Sequence, residues 1–288
     1  MDAPAVERER CLELTEQYAP TAADVGTMYD QSTGLLSEVM GGNIHLGYWR
    51  DDEDDATVEQ ATDALTDMVG TRLALSPGDR VLDIGCGSGK PATRIAHTWG
   101  VHVTGVTVSA QQAEIASARP EVGTGPCQVS FRQADGMALP FPAAHFDNAY
   151  AIESFLHMSD RATAIAEAAR VLRPGGVLVT ANPYQQGELD AREAEIVADN
   201  RKLFQIPPIG NVDEYLAHMR KAGLEVLETL DIGENVRRSH TIAAELIRRV
   251  DKPSDGALSE ELNRAADIIE RFGELPQIGY GLIVARRP

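Results

Sequence analysis

The chain has 288 residues, 43% of them hydrophobic, with 26 Lys and Arg against 44 Asp and Glu for a formal net charge of −18. That apolar content supports one large domain, or one domain with an added lobe, and the acidic balance argues against binding nucleic-acid backbone or an anionic membrane. No apolar run is long enough to read as a membrane span, and three scattered cysteines, Cys11, Cys86 and Cys127, exclude a disulfide scaffold or a zinc knuckle, so a cytoplasmic protein is expected.

Residues 5–18 have helical composition, and 21–40 continue it as far as the Gly41-Gly42 break. Asn43 to Trp49 reads as a loop ending in two aromatics. The acids Asp51 to Asp55 read as a solvated surface loop, since a calcium loop needs alternating oxygen ligands, a glycine hinge and a distal Glu. Ala61, Leu65, Met68, Val69 and Leu73 recur near helical spacing within 57–74. From Arg80 the chain alternates strand and helix: strand 80–84, helix 91–98, strand 101–106, helix 109–119 capped by Ser109, strands 128–133 and 146–152, helix 161–172, strand 177–181. This alternation predicts a parallel sheet with helices on both faces. The rhythm then changes. A helix at 189–204 and a loop at 205–210 read as an insertion over a ligand crevice, followed by helix 212–222, strand 224–230, helices 236–250 and 257–272, and strand 278–285. The last two strands are expected to form an antiparallel edge.

The sharpest signal is Val81-Leu82-Asp83-Ile84-Gly85-Cys86-Gly87-Ser88-Gly89. Three glycines at alternate positions after an apolar strand permit a tight turn and close approach of backbone to a ligand. Asp83, at the strand end, can fix the loop or accept a ligand amine. The loop is not a nucleoside triphosphate P-loop, because Lys90 is followed by Pro91, and its glycines do not have the dinucleotide spacing. After the second strand, Thr107, Ser109 and Gln112 offer polar contacts where a ribose-binding carboxylate is often found. Asp135, with Gly136 and Met137 after the third strand, can accept from an adenine amine.

These segments together resemble the class I S-adenosylmethionine-dependent methyltransferases, with VLDIGCGSG as the glycine motif, Ala134-Asp135-Gly136 as the adenine-side motif, and Leu172-Arg173-Pro174-Gly175-Gly176 leading into the fifth strand. Met28-Tyr29-Asp30 and Gly42 to Trp49 are similar to the entry segments of bacterial natural-product methyltransferases, including sugar O-methyltransferases. The resemblance implies an α/β, Rossmann-like, seven-stranded and mostly parallel sheet flanked by helices. Residues 1–74 would form an N-terminal helical lobe and lid, and 75–288 the core, with 183–211 and 233–273 as substrate-side helical insertions. It implies S-adenosyl-L-methionine as cofactor, held by Tyr29, His45, Trp49, Asp83, Gly85, Gly87, Gly89, Thr107, Ser109, Gln112, Asp135, Gly136 and Met137. It also implies a small-molecule natural product as substrate, with no nucleic-acid or membrane partner. A homo-oligomer through the N-terminal helices is a further expectation.

Methyl transfer from a sulfonium needs nucleophile, methyl carbon and sulfur in line and water excluded. A hydroxyl nucleophile needs a proton acceptor, whereas an alkene needs apolar shielding for a carbocation and a late acceptor. The candidates are His157, Glu153, Asn182 and Tyr184. In the sugar O-methyltransferase resembled, two adjacent histidines and an acid occupy positions corresponding to Leu156, His157 and Asn182. Two of the three are non-basic here. The expectation therefore leans to C-methylation of an apolar or prenylated substrate, with O-methylation of a sugar or phenolic hydroxyl as the alternative and a cofactor-binding cyclase or non-catalytic protein behind both. No metal site is expected, because no ligand spacing is compact enough.

Overall fold

A computed structural model describes residues 18–123, 126–250 and 256–288. Cys11 and all but Tyr18 of the helix expected at 5–18 lie outside these residues. Helix α1 (Ala22–Val39) begins at a capping box, in which Thr21 and Asp24 satisfy each other's backbone N–H. Helix α2 (Val58–Arg72) begins in the same way with Thr57 and Gln60.

The alternating part of the chain follows: β1 (Arg80–Ile84), α3 (Lys90–Trp99), β2 (His102–Thr107), α4 (Ala110–Ser117), β3 (Val129–Gln133), β4 (Asn148–Ile152), α5 (Arg161–Val171) and β5 (Val177–Gln185). A short 3-10 turn at Phe155–His157, not expected from the sequence, lies between β4 and α5. The remainder is α6 (Ala191–Leu203), α7 (Val212–Lys221), β6 (Glu225–Asp231), α8 (Gly233–Arg249), α9 (Gly256–Gly273) and β7 (Ile278–Arg286).

Among the described residues, seven strands form one sheet in the order β3-β2-β1-β4-β5-β7-β6. The pairs β1–β2, β2–β3, β1–β4 and β4–β5 are parallel, and β7 runs antiparallel to both its neighbours. The two final strands form the expected antiparallel edge, in which β7 lies between β5 and the outermost strand β6. Strand β7 pairs with β5 from Val177 opposite Arg286 to Gln185 opposite Ile278, which extends β5 beyond the expected end at Ala181. The chain winds outward from β1 to β3 and returns to β4 beside β1. This reversal opens a crevice at the carboxyl ends of β1 and β4, where doubly wound sheets bind ligands.

Alternation along the strands splits the core. Val81, Val179, Tyr150, Tyr280 and Leu282 pack on one face with Leu65, Val69 and Leu73 of α2, while Leu82, Leu178 and Ile283 pack on the other with Ile165 and Ala168 of α5 and Met219 of α7. The acidic loop is exposed as expected at Asp51, Asp52, Glu53 and Asp55, with Asp54 as the exception. Asp54 is buried, accepts from the Arg50 backbone and guanidinium, and is held down to a pKa of about 2 by those bonds.

Gly105 of β2 is a packing requirement, since a Cβ there would lie 2.6 Å from Phe131 Cδ1 and 2.7 Å from Cys86 Cβ. Gly105→Ala is expected to cost about 1–3 kcal/mol through overpacking, read as a lower denaturant midpoint at unchanged slope.

Candidate active site

Two cavities of about 890 Å³ each open at the carboxyl end of the sheet. The first is lined by the glycine loop, the ends of β2 and β4, the turn after β3 and the start of α1. The second is lined by α1, the 204–209 loop and helices α6, α8 and α9. Tyr29, Ile44, His45, Glu153 and His157 line both, and so form the wall between them.

The first cavity is built by the turn after β1. Gly85 has φ 86° and Gly87 φ 51°, both in the left-handed region that glycine enters without penalty. A Cβ on Gly85 would lie 2.2 Å from Ser154 Cβ, because Ser154 closes over the turn and donates its hydroxyl to the Ile84 carbonyl. A Cβ on Gly87 would meet nothing closer than Ile44 at 3.6 Å, which leaves this backbone open to a ligand. Asp83 is buried and accepts from the Tyr150 hydroxyl at 2.7 Å. Burial pushes its pKa up to about 7, so a cationic ligand group nearby would favour its charged form. Thr107 donates to Gln112 Oε1 at 2.6 Å, and Asp135 accepts from the Met137 N–H at 2.8 Å. The lining includes Asp83, Asp135 and Glu153 but neither Lys nor Arg. That donor set suits an uncharged or cationic adenosyl ligand and is wrong for a phosphate-bearing nucleotide.

The dividing wall is anchored by His157. Its Nδ1 lies 3.3 Å from the Gln205 carbonyl, which can only accept, so Nδ1 carries the proton and Nε2 accepts from the Tyr29 hydroxyl at 2.8 Å. Desolvation lowers the His157 pKa to about 4, and the imidazole is neutral at physiological pH. Glu153, at φ 49°, accepts through Oε1 from the Leu46 N–H and the Tyr280 hydroxyl, both at 2.8 Å. Burial raises its pKa to about 7. His45 also faces protein on both ring nitrogens, donating from Nδ1 to the Leu46 carbonyl and meeting Thr66 at Nε2.

Of the residues singled out in the sequence, Tyr29, His45, Asp83, Gly85, Gly87, Thr107, Gln112, Asp135, Gly136, Met137, Glu153 and His157 line the first cavity. Trp49, Gly89, Ser109, Asn182 and Tyr184 line neither large cavity. Trp49 is 1% exposed and donates its indole N–H to the Ala56 carbonyl, so it serves packing. Gly89 makes room for Ala116 and Phe131, each 2.7 Å from where its Cβ would be. Ser109 caps α4 and donates to Asp30 of α1, which fastens that helix over the cavity. Asn182 and Tyr184 face the opposite side of the sheet, in a small cavity with Val212 and Tyr215 of α7. Strand period two turns Pro183, between them, into the second large cavity. Tyr150, Ser154 and Gln205 were missed. Tyr150 was findable, since it sits opposite Asp83 in the β1–β4 register, whereas Gln205 acts through its main chain and leaves no side-chain signal.

The model of the methyltransferase domain family matches residues 82–180. O-methyltransferase resE of Aspergillus sclerotiorum is 44% identical over 93% of this chain and 98% of its own length. The 27-O-demethylrifamycin SV methyltransferase of Amycolatopsis mediterranei is 40% identical over 93% and 98%. This chain belongs to the class I S-adenosylmethionine-dependent methyltransferases. It is an enzyme of the branch that includes fungal and bacterial natural-product O- and C-methyltransferases, and its reaction is transfer of a methyl group from S-adenosylmethionine to a small molecule of that kind. The crystal structure of the 4+2 cyclase SpnF superposes with a TM-score of 0.80 at 35% identity, covering 94% of this methyltransferase and 97% of that chain. No helix among the described residues is long and apolar enough to cross a membrane.

Glu153 gives a pH test of this wall. Its folded pKa of about 7 lies above the ordinary value of 4.5. The stability it contributes is therefore present below the ordinary value and is lost as pH rises through the folded one. Glu153→Gln keeps an accepting oxygen for Leu46 and Tyr280 but does not ionise. The melting temperature of the cofactor-free variant is expected to match the native protein at about pH 4 and to exceed it at about pH 8.

Proposed function

We propose that this methyltransferase methylates a hydroxyl on an apolar natural product, with His157 as the proton acceptor. The observation that carries the reading is the neutral His157 imidazole in the wall shared by the two cavities, with Nε2 as its free base position once Tyr29 yields. O-methyltransferase resE and the 27-O-demethylrifamycin SV methyltransferase carry oxygen methylation in their names. The lean toward carbon drawn from the sequence relied partly on Asn182 replacing an acid. Asn182 lies on the other face of β5, so its lack of basicity bears little on the reaction.

When bound, S-adenosylmethionine supplies an electrophilic sulfonium methyl group. Asp83, Thr107, Gln112, Asp135 and the open Gly87 backbone, with Gly85 shaping the turn, are the groups we assign to holding it. The substrate hydroxyl replaces Tyr29 as donor to His157 Nε2. As the O–CH3 bond forms and the S–CH3 bond breaks, with its electron pair left on the sulfur of S-adenosylhomocysteine, the hydroxyl proton would pass to Nε2, and the Gln205 carbonyl accepts from Nδ1 throughout, which fixes the tautomer. Glu153 lines the same wall. Ile44, Leu156, Phe204 and Ile206 keep water from the reacting centre.

The similarity to SpnF raises a cyclase reading, separated by counting methyl donors consumed per product. With methyl-labelled S-adenosylmethionine and apolar natural-product alcohols as candidates, one labelled methyl should appear on oxygen per turnover. A carbon-bound label, or product without consumption, overturns the proposal. His157→Ala is expected to lower kcat by about 10²–10⁴-fold while S-adenosylhomocysteine affinity by calorimetry stays within about threefold of native. An unchanged kcat would remove His157 from the reaction.

A further inference from the structure

The second cavity is apolar over most of its wall, but not all. Besides the residues it shares with the first cavity, its lining holds two polar side chains, Asn200 from α6 and His240 from α8. Asn200 is 3% exposed, and its side-chain amide makes no hydrogen bond among the described residues. Its neighbour Arg201 is committed to the Ile206 and Tyr18 carbonyls. His240 packs edge-on against Phe272 at 5.7 Å and is backed by Gly273, where a Cβ would lie 2.4 Å from His240 Cβ. Its ring is likewise without a hydrogen-bond partner among the described residues. Burial, followed by nearby Arg237, lowers its pKa to about 4, leaving a neutral ring with one donor and one acceptor.

Asn200 is buried and His240 half-buried, and both line the cavity with polar atoms that no protein group among the described residues partners, where an apolar residue would continue the apolar wall. Two such groups from separate helices, both lining one cavity, call for a ligand that satisfies them. The ligand group is neutral. No Lys or Arg lines the cavity, and Arg237 is spent on Glu234 and on the Gly273 and Leu275 carbonyls. A phosphate or carboxylate would find no counter-charge there.

We propose that Asn200 and His240 form a polar recognition point in the substrate cavity, selecting substrates that carry a neutral hydroxyl or carbonyl in addition to the hydroxyl that is methylated. The proposal rests on the hydroxyl reading for the identity of the cavity as the substrate site, and it adds the second functional group of that substrate.

The test uses straight-chain α,ω-diols of increasing length and the monoalcohols of the same lengths, titrated calorimetrically into protein saturated with S-adenosylhomocysteine. At the length that spans from His157 to the recognition point, the diol should bind about tenfold more tightly than its monoalcohol. Asn200→Leu and His240→Phe should each reduce that preference to about twofold or less while leaving monoalcohol binding unchanged, and His240→Gln, which keeps a neutral donor and acceptor, should restore it. Absence of a diol preference at every length in the native protein overturns the proposal without need of any variant, as does a preference that survives in the doubly substituted protein. Methyl transfer is scored separately. A diol preference with no methylated product leaves the recognition point standing and counts against the hydroxyl reading, whereas methylated monoalcohol with no diol preference does the reverse.

Discussion

The imidazole of His157 is gripped from three directions by parts of the chain that are far apart in sequence. Tyr29 approaches from α1, the Gln205 carbonyl from the loop beyond α6, and the turn after β4 supplies the ring itself. A single ring therefore joins the N-terminal helix, the sheet and the covering loop. Its neutrality follows from the same closure, because desolvation disfavours the charged form. The covering loop is held in turn by Arg161, which donates to the Pro208 carbonyl, and by Arg201, which donates to the Ile206 carbonyl. Two guanidiniums thus bind the main chain on either side of Pro207 and keep the Gln205 carbonyl where the histidine needs it.

The chemistry of the two cavities divides along this ring. On one side the lining has carboxylates and open glycine backbone, fit for an adenosyl group bearing an ammonium and a sulfonium. On the other, aliphatic and aromatic side chains dominate. A polar and an apolar chamber are thus kept apart by a single wall around His157. The excess of negative charge over the whole chain does not oppose a cationic cofactor; it agrees with it.

Much of this was legible in the residues. An apolar strand followed by alternate glycines can hardly be built otherwise than as a tight turn at a sheet end, and the strand-helix alternation from Arg80 constrained the topology to a parallel sheet. The misreadings have definite causes. Asn182 and Tyr184 were placed in the site by their position after β5, but a strand turns each successive side chain to the opposite face, and only the pairing with β7 extends the strand far enough for that rule to govern them. Trp49 and Ser109 are residue types equally at home in packing or capping and in ligand contact. Gly89 satisfies the motif and serves a neighbouring helix. The role of Gln205 lies in its main chain, about which side-chain identity is silent.

The wedge of β7 between β5 and β6 has a consequence for how the molecule is assembled as it is made. Strands β1 to β5 can zip together in the order of their synthesis, each new strand finding a completed neighbour. Strand β6 emerges with no partner to receive it and must wait until α8, α9 and β7 have all been translated. Until then β5 presents an unpaired flank, of the kind that invites association with other chains. Helices α8 and α9, which line the second cavity, fall within this interval, so the nascent chain completes its sheet and that cavity in one late step.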